Sequence, residues 1–189
     1  MKIFTGALVG GIIIFIWQFL SWTILDLHRP AQQYTSKQDS ILTYLNTQFD
    51  SSAAYFLPHV PKGASSDDME KLNEEAKGKP WVQIAYHKSY DANMGMNILR
   101  ALITDVIIVL FFCWILSGFT ANSFGKTFLA ALLTGFIISL YSNYIIHIWY
   151  ETFDLEAHII DNIVSWGAAG TWLGWWLNRK NFSSLISKR

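Results

Sequence analysis

A single cysteine, Cys113, rules out a disulfide within the chain and any zinc site built on thiolates. Lying inside an apolar run, it reads as a small packing residue. Charge is also scarce. Fourteen basic and fourteen acidic side chains cancel over 189 residues. No basic patch with interleaved aromatics occurs, which excludes a nucleic-acid partner. Catalytic signatures are missing too. There is no nucleophile elbow, no Ser/His/Asp arrangement, and no H-E-x-x-H or H-x-x-E-H pattern. "SFGKTF" around Gly125 fails as a phosphate loop, because Thr120 stands where the pattern needs its first glycine and the stretch is a short turn between apolar runs. "NFS" at Asn181 matches a glycosylation sequon but falls on the side expected to be cytoplasmic. No internal repeat or low-complexity tract stands out.

What the chain has is apolar length. It is 52% hydrophobic and 16% aromatic. A spanning helix needs about 20 mostly apolar residues, and four segments qualify: 3–25, 98–116, 128–150 and 158–177. The first is too long for the apolar core of a signal peptide and reads as a retained anchor. The fold class expected is an all-α membrane protein, a four-transmembrane-helix bundle with a small α+β extracytoplasmic insert. The organisation is a first transmembrane helix at 1–26, the insert at 27–96, a second helix at 97–119, a helical hairpin at 126–178 and a cytoplasmic tail at 179–189.

Bases in short flanks set orientation. With four spans, Lys2, Lys126, Arg179, Lys180, Lys188 and Arg189 share one side, while the short turn "ETFDLEA" holds three acids and no base. Both termini are therefore expected in the cytoplasm. Trp175, Trp176 and Arg179 then anchor the inner interface, and Trp22, Trp149 and Tyr150 mark the outer one.

The insert is too short to bury a strong core by itself and is expected to pack on the bundle and the lipid surface. "SKQDSILTYLNTQF" has helical spacing, and "SSDDMEKLNEEAKG" carries the start and stop signals of a short helix. "AAYFL" and "WVQIAYH" predict short strands, with Pro58 and Pro61 fixing the loop after the first.

Small residues spaced by four place Gly6 with Gly10, and Gly170 with Gly174, on shared faces, where helix backbones can approach within the bundle or between copies of it. Polar residues inside the spans are more informative. Ser139, Asn143, His147 and Glu151 form one i,i+4 stripe, and His158, Asp161, Asn162 and Ser165 share another face. The second span adds Arg100, Thr104 and Asp105. The first adds Gln18, Asp26 and His28. The candidate site is thus an outer-half cluster of Asp26, His28, Arg100, Asp105, Asn143, His147, Glu151, His158 and Asp161. Intramembrane polar residues face the bundle interior or water. Three readings follow. In a structural network Arg100 pairs with Asp105 or Asp161, or else reaches open water. In a water-filled vestibule or substrate pocket the insert forms a lid. In a metal or haem site His28, His147 and His158 are the candidate ligands, because imidazole and carboxylate suit first-row divalent metals. No cofactor is expected on the first of these.

The stretches "GALVGGIIIFIWQFLSWTIL", "AAYFLP", "WVQIAYH" and "SNYIIHIWYETFDLEAHIIDNIVSWGAAG" together resemble a group of bacterial four-helix inner-membrane proteins. That group has a glycine-rich first helix, an extracytoplasmic insert with a Y-x-x-P segment, and an aspartate at the outer end of the fourth helix, here Asp161. The chain departs from it where the first helix ends in "SWTILDLHRP". The resemblance implies topology and no reaction. The function expected is an accessory or scaffold subunit of a membrane complex, with membrane lipids and a protein partner or a second copy as its contacts. A small transporter or channel component is the alternative, and a membrane enzyme with histidine-ligated metal or haem comes third.

Overall fold

The structure is a computed structural model and describes residues 1–118 and 123–179. The tail expected at 179–189, with Lys180, Asn181, Lys188 and Arg189, lies outside the described residues from position 180 onward. Along the chain run α1 (Lys2–Ile24), α2 (Gln38–Gln48), β1 (Ala53–Leu57), α3 (Ser66–Ala76), β2 (Val82–Tyr86), α4 (Met94–Ser117), α5 (Phe124–Trp149) and α6 (Leu155–Asn178). They divide into two compact units. One is Tyr34–Ala92; the other joins Met1–Gln33 to the chain from Asn93 onward.

In the helical unit, α1, α4 and α5 are each long and apolar enough to cross a membrane. Only 28%, 22% and 17% of their most apolar windows are buried. Ile12, Ile16, Ile103, Phe111, Leu133 and Ile137 therefore face outward. Water would penalise such a surface, whereas hydrocarbon does not. The fourth long helix, α6, has 24 residues but is less apolar, since Glu156, His158, Asp161, Asn162 and Ser165 crowd its first half. The expectation of four strongly apolar spans is thus met by three helices.

α1 packs on both α4 and α6, and α6 packs on both α1 and α5. Asp161, Ser165, Ala169 and Leu173 recur every four residues along the buried side of α6. Ala7, Ile14, Val109, Phe112, Trp166 and Leu173 belong to the common core, where Phe112 meets Trp166 edge to face with centroids 5.2 Å apart. Small residues bring the backbones together. Gly10 lies against Val109 and Leu173, and Gly170 against Ala131 and Phe128. The tightest approaches to a neighbouring backbone involve two other glycines, Gly11 on the backbone of Val106 and Gly135 on the carbonyl of Asn162.

The start of α1 and the end of α6 meet. Lys2 Nζ donates to the carbonyls of Leu177 (2.8 Å) and Arg179 (3.0 Å), and Trp176 Nε1 donates to Lys2 O at 2.8 Å. A cation at a helix C-terminus is favoured by its unpaired carbonyls. The Arg179 guanidinium lies 3.5 Å from the Trp176 ring centroid.

In the small unit, β1 and β2 pair antiparallel from Ala53↔Tyr86 to Leu57↔Val82. Phe49 stacks on Tyr55 at 3.8 Å, and the Tyr86 hydroxyl donates to Asn46 Oδ1 at 2.8 Å. α3 begins with a capping box in which Ser65 Oγ accepts from Asp68 N and the Asp68 carboxylate accepts from Ser65 N. The Ser65 backbone N–H, and then its hydroxyl, hold the Asp68 carboxyl below the usual carboxylate range. Tyr86 is the unit's only buried residue.

Candidate functional site

The site forms where α1 ends and the α5–α6 turn begins, and local backbone geometry builds it. α1 widens into π-type i→i+5 turns over Leu20–Ile24. Asp26 follows in the left-handed region, at φ +52°. Aspartate tolerates that conformation better than most residues, because its short side chain bonds locally. The chain then folds back and delivers His28, 2% exposed, against α6.

The imidazole of His28 is held on several sides. Nδ1 lies 2.8 Å from Asp154 Oδ2, and Nε2 lies 2.9 Å from Asp161 Oδ2. Trp22 stacks on the ring at 3.8 Å and 7°. His158 stands edge-on at 4.7 Å, its Nε2 3.3 Å from Asp154 Oδ2. Trp17 Nε1 donates to Asp161 Oδ1 at 3.0 Å. Both carboxylates are buried. Each short N···O contact needs a hydrogen, and a neutral imidazole carries only one. The trio of His28, Asp154 and Asp161 therefore holds two protons between one ring and two carboxyls, unless another cation stands in for one of them.

A second polar group lies between α1 and α4. Gln18 Nε2 donates to Asp105 Oδ1 at 3.3 Å. Asp105 Oδ2 and Ser21 Oγ are buried and have no hydrogen-bond partner among the described residues. A third lies between α5 and α6, where Asn162 Nδ2 donates to both Ser139 Oγ (3.2 Å) and Asn143 Oδ1 (2.9 Å).

The nine residues expected to form one cluster are therefore distributed. His28, His158 and Asp161 come together. Asp105 and Asn143 are each in a separate group. Arg100 is exposed and makes no ion pair among the described residues, so of the outcomes expected for it, pairing with Asp105 or Asp161 or else open water, neither acid is its partner. A histidine supplies the counter-group to Asp161, and a glutamine that to Asp105. Asp26 is exposed, 3.9 Å from exposed Arg29. His147 stays apart from the other two histidines: its Nδ1 accepts the Thr152 N–H at 3.1 Å, just beyond the end of α5. Glu151 is exposed and lies two residues beyond the end of α5 at Trp149. The i,i+4 stripe from Ser139 to Glu151 breaks for a local reason. α5 is π-helical over Ser139–Tyr144, and a wider turn rotates everything beyond it.

Sequence reasoning left Asp154, Trp17 and Trp22 out of the cluster. In the sequence Asp154 is one of the three acids of the short turn "ETFDLEA". A signal was present, since positions 154, 158 and 161 stand at i, i+4 and i+7, one face of a helix starting at the aspartate. Beside the centre, Leu27, Pro30, His147, Phe153, Asp154 and Ile160 line a cleft of about 400 Å3.

Compared with protein-family models, curated proteins and solved structures, the chain finds no match. The chemistry of the centre thus has to be argued from its own atoms. Two buried acids, two imidazoles and two indoles can hold protons, hold a cation, or fasten the end of α1 to α6.

Proposed function

We propose that this protein is a four-span bacterial inner-membrane protein that serves as an accessory or scaffold subunit, contacting a partner through the unit Tyr34–Ala92. The observation that carries this reading is the surface of that unit. Of its 59 residues, only Tyr86 is buried, while Leu42, Tyr44, Met69, Trp81, Val82 and Tyr90 are all exposed. A unit that buries so little of itself has little stability of its own, and a partner that covered these apolar side chains would supply the burial it lacks.

The fourth span is supported by the meeting of Lys2 with Leu177 and Arg179. If α1, α4 and α5 cross, α6 must cross as well to return to the starting side. The bacterial inner membrane follows from the resemblance noted above. A cytoplasmic position for both termini follows from the short-flank bases. A cysteine at the exposed position of Lys71, in a Cys113→Ala background, should react with an impermeant thiol reagent in spheroplasts. Labelling that requires lysis would reverse the orientation.

A photo-crosslinking residue placed at Leu42 or Trp81 should yield one defined protein adduct in cells. The same protein should co-purify in mild detergent and be lost with Leu42→Asp. Adducts to lipid alone would remove the scaffold reading. A transport path is the second reading, favoured by the two unsatisfied buried oxygens, Ser21 Oγ and Asp105 Oδ2, on packed helices.

A further inference from the structure

We propose that His28 Nδ1, Asp154 Oδ2 and His158 Nε2 form a binding site for a divalent first-row transition metal at the end of the bundle. The three ligand atoms lie within 4.8 Å of one another. Nδ1 of His28 is 2.8 Å and Nε2 of His158 is 3.3 Å from Asp154 Oδ2. An ion bound at about 2.0–2.2 Å to nitrogen and oxygen places neighbouring ligands roughly 2.8–3.5 Å apart. Both separations from Asp154 Oδ2 fall in that range, and the shorter one opens as the ion displaces the hydrogen between His28 and Asp154.

The surroundings have the form that metal sites use. A ligating histidine usually gives its second ring nitrogen to a carboxylate, which fixes the ring and raises its basicity. His28 Nε2 meets Asp161 Oδ2 at 2.9 Å, and Trp17 Nε1 orients that acid from its other oxygen. Trp22 stacked on the ring prevents it from turning. The metal also answers the proton count. It takes the place of the hydrogen between His28 Nδ1 and Asp154 Oδ2, and that proton leaves to solvent. His28 Nε2 then keeps the single hydrogen of a neutral imidazole. The His158 side chain is 34% exposed, so the remaining coordination positions open there and an ion can enter. Two imidazoles with one carboxylate suit zinc, iron, cobalt or manganese over magnesium and calcium, which take oxygen ligands. Both nitrogens of His28 face carboxylates, and Trp22 lies on the ring, so no porphyrin plane fits against it.

The test uses the full chain in detergent, stripped with chelator and titrated with cobalt(II) as a spectroscopic probe. One ion per chain is expected, displaced by zinc. His158→Gln should weaken binding at least about tenfold while the chain still unfolds in one cooperative step in chelator. Asp161→Asn should weaken it about 10- to 100-fold, the usual effect of losing an outer-shell carboxylate. X-ray absorption of the zinc-loaded wild type should show two imidazoles, which guards against a variant that fails to fold. A first shell of water oxygens only, or equal affinity in His158→Gln and wild type, would overturn the site. Neither result bears on the crosslinking that tests the scaffold reading.

Discussion

His28→Ala, measured in chelator so that no metal contributes, should lower the unfolding free energy in detergent by about 3–5 kcal/mol, the scale for breaking a buried charged pair by removing one partner. The reason is what remains behind. Asp154 and Asp161 are both buried, and each directs Oδ2 at the missing ring. Without it, both carboxyls face a cavity where the ring's two nitrogens had been. Trp17 still donates to Asp161 Oδ1, and His158 still lies 3.3 Å from Asp154, so the loss is less than that of two isolated buried charges. Trp22 also loses the ring on which it stacks. Adding Asp154→Asn and Asp161→Asn to His28→Ala should recover part of the loss, because amides supply donors as well as acceptors. A melting temperature for His28→Ala within a degree of wild type would mean that this contact holds nothing in place.

That experiment also separates what the sequence displays from what it hides. Helix positions were legible because hydrocarbon demands long apolar runs, and the ends of α1, α4, α5 and α6 fall within a few residues of those runs. The strands at 53–57 and 82–86 and the helix after Ser65 were legible from β-branched and aromatic runs and from a capping signal. The site was only half legible. His28 and Asp161 stand out as polar residues beside apolar segments. Which group meets which is decided by the fold-back at Asp26 and by two π-helical segments, and neither feature leaves a periodic trace. For Arg100 the sequence leaves two outcomes open, a carboxylate partner or water. Its long side chain stays exposed near the start of α4, the position from which a guanidinium reaches water. The apolarity of α6 was overestimated for a related reason. Its buried stripe carries acid and hydroxyl groups as well as Ala169 and Leu173, and they are tolerated because His28 and Trp17 meet the Asp161 carboxyl and the Ser165 hydroxyl donates to the Asn162 carbonyl of its own helix.

The second large effect concerns backbone contact, and Gly11→Ala is its sharpest form. A Cβ at position 11 would lie 2.6 Å from Val106 Cα and 2.7 Å from Val106 N, closer than non-bonded atoms approach. Neither of those atoms can rotate away, so α1 and α4 must separate. α1 is also clamped against α6, which prevents it from simply sliding. The expected cost is at the upper end of the 1–3 kcal/mol typical of overpacking, although alanine is the better helix former by about 1 kcal/mol. Gly10→Ala meets a different neighbour, the Val109 Cγ1 methyl at 2.9 Å. A side chain can yield or be trimmed. Val109→Ala should therefore rescue Gly10→Ala substantially, whereas Val106→Ala should rescue Gly11→Ala only slightly, because it removes Cγ2 and leaves the clashing backbone. Gly125→Ala is the control: nothing lies within 4 Å of its Cβ position, so the melting temperature in detergent should hold or rise. If Gly11→Ala behaves like Gly125→Ala, α1 and α4 are not in backbone contact, and the packing order of the bundle falls with that contact.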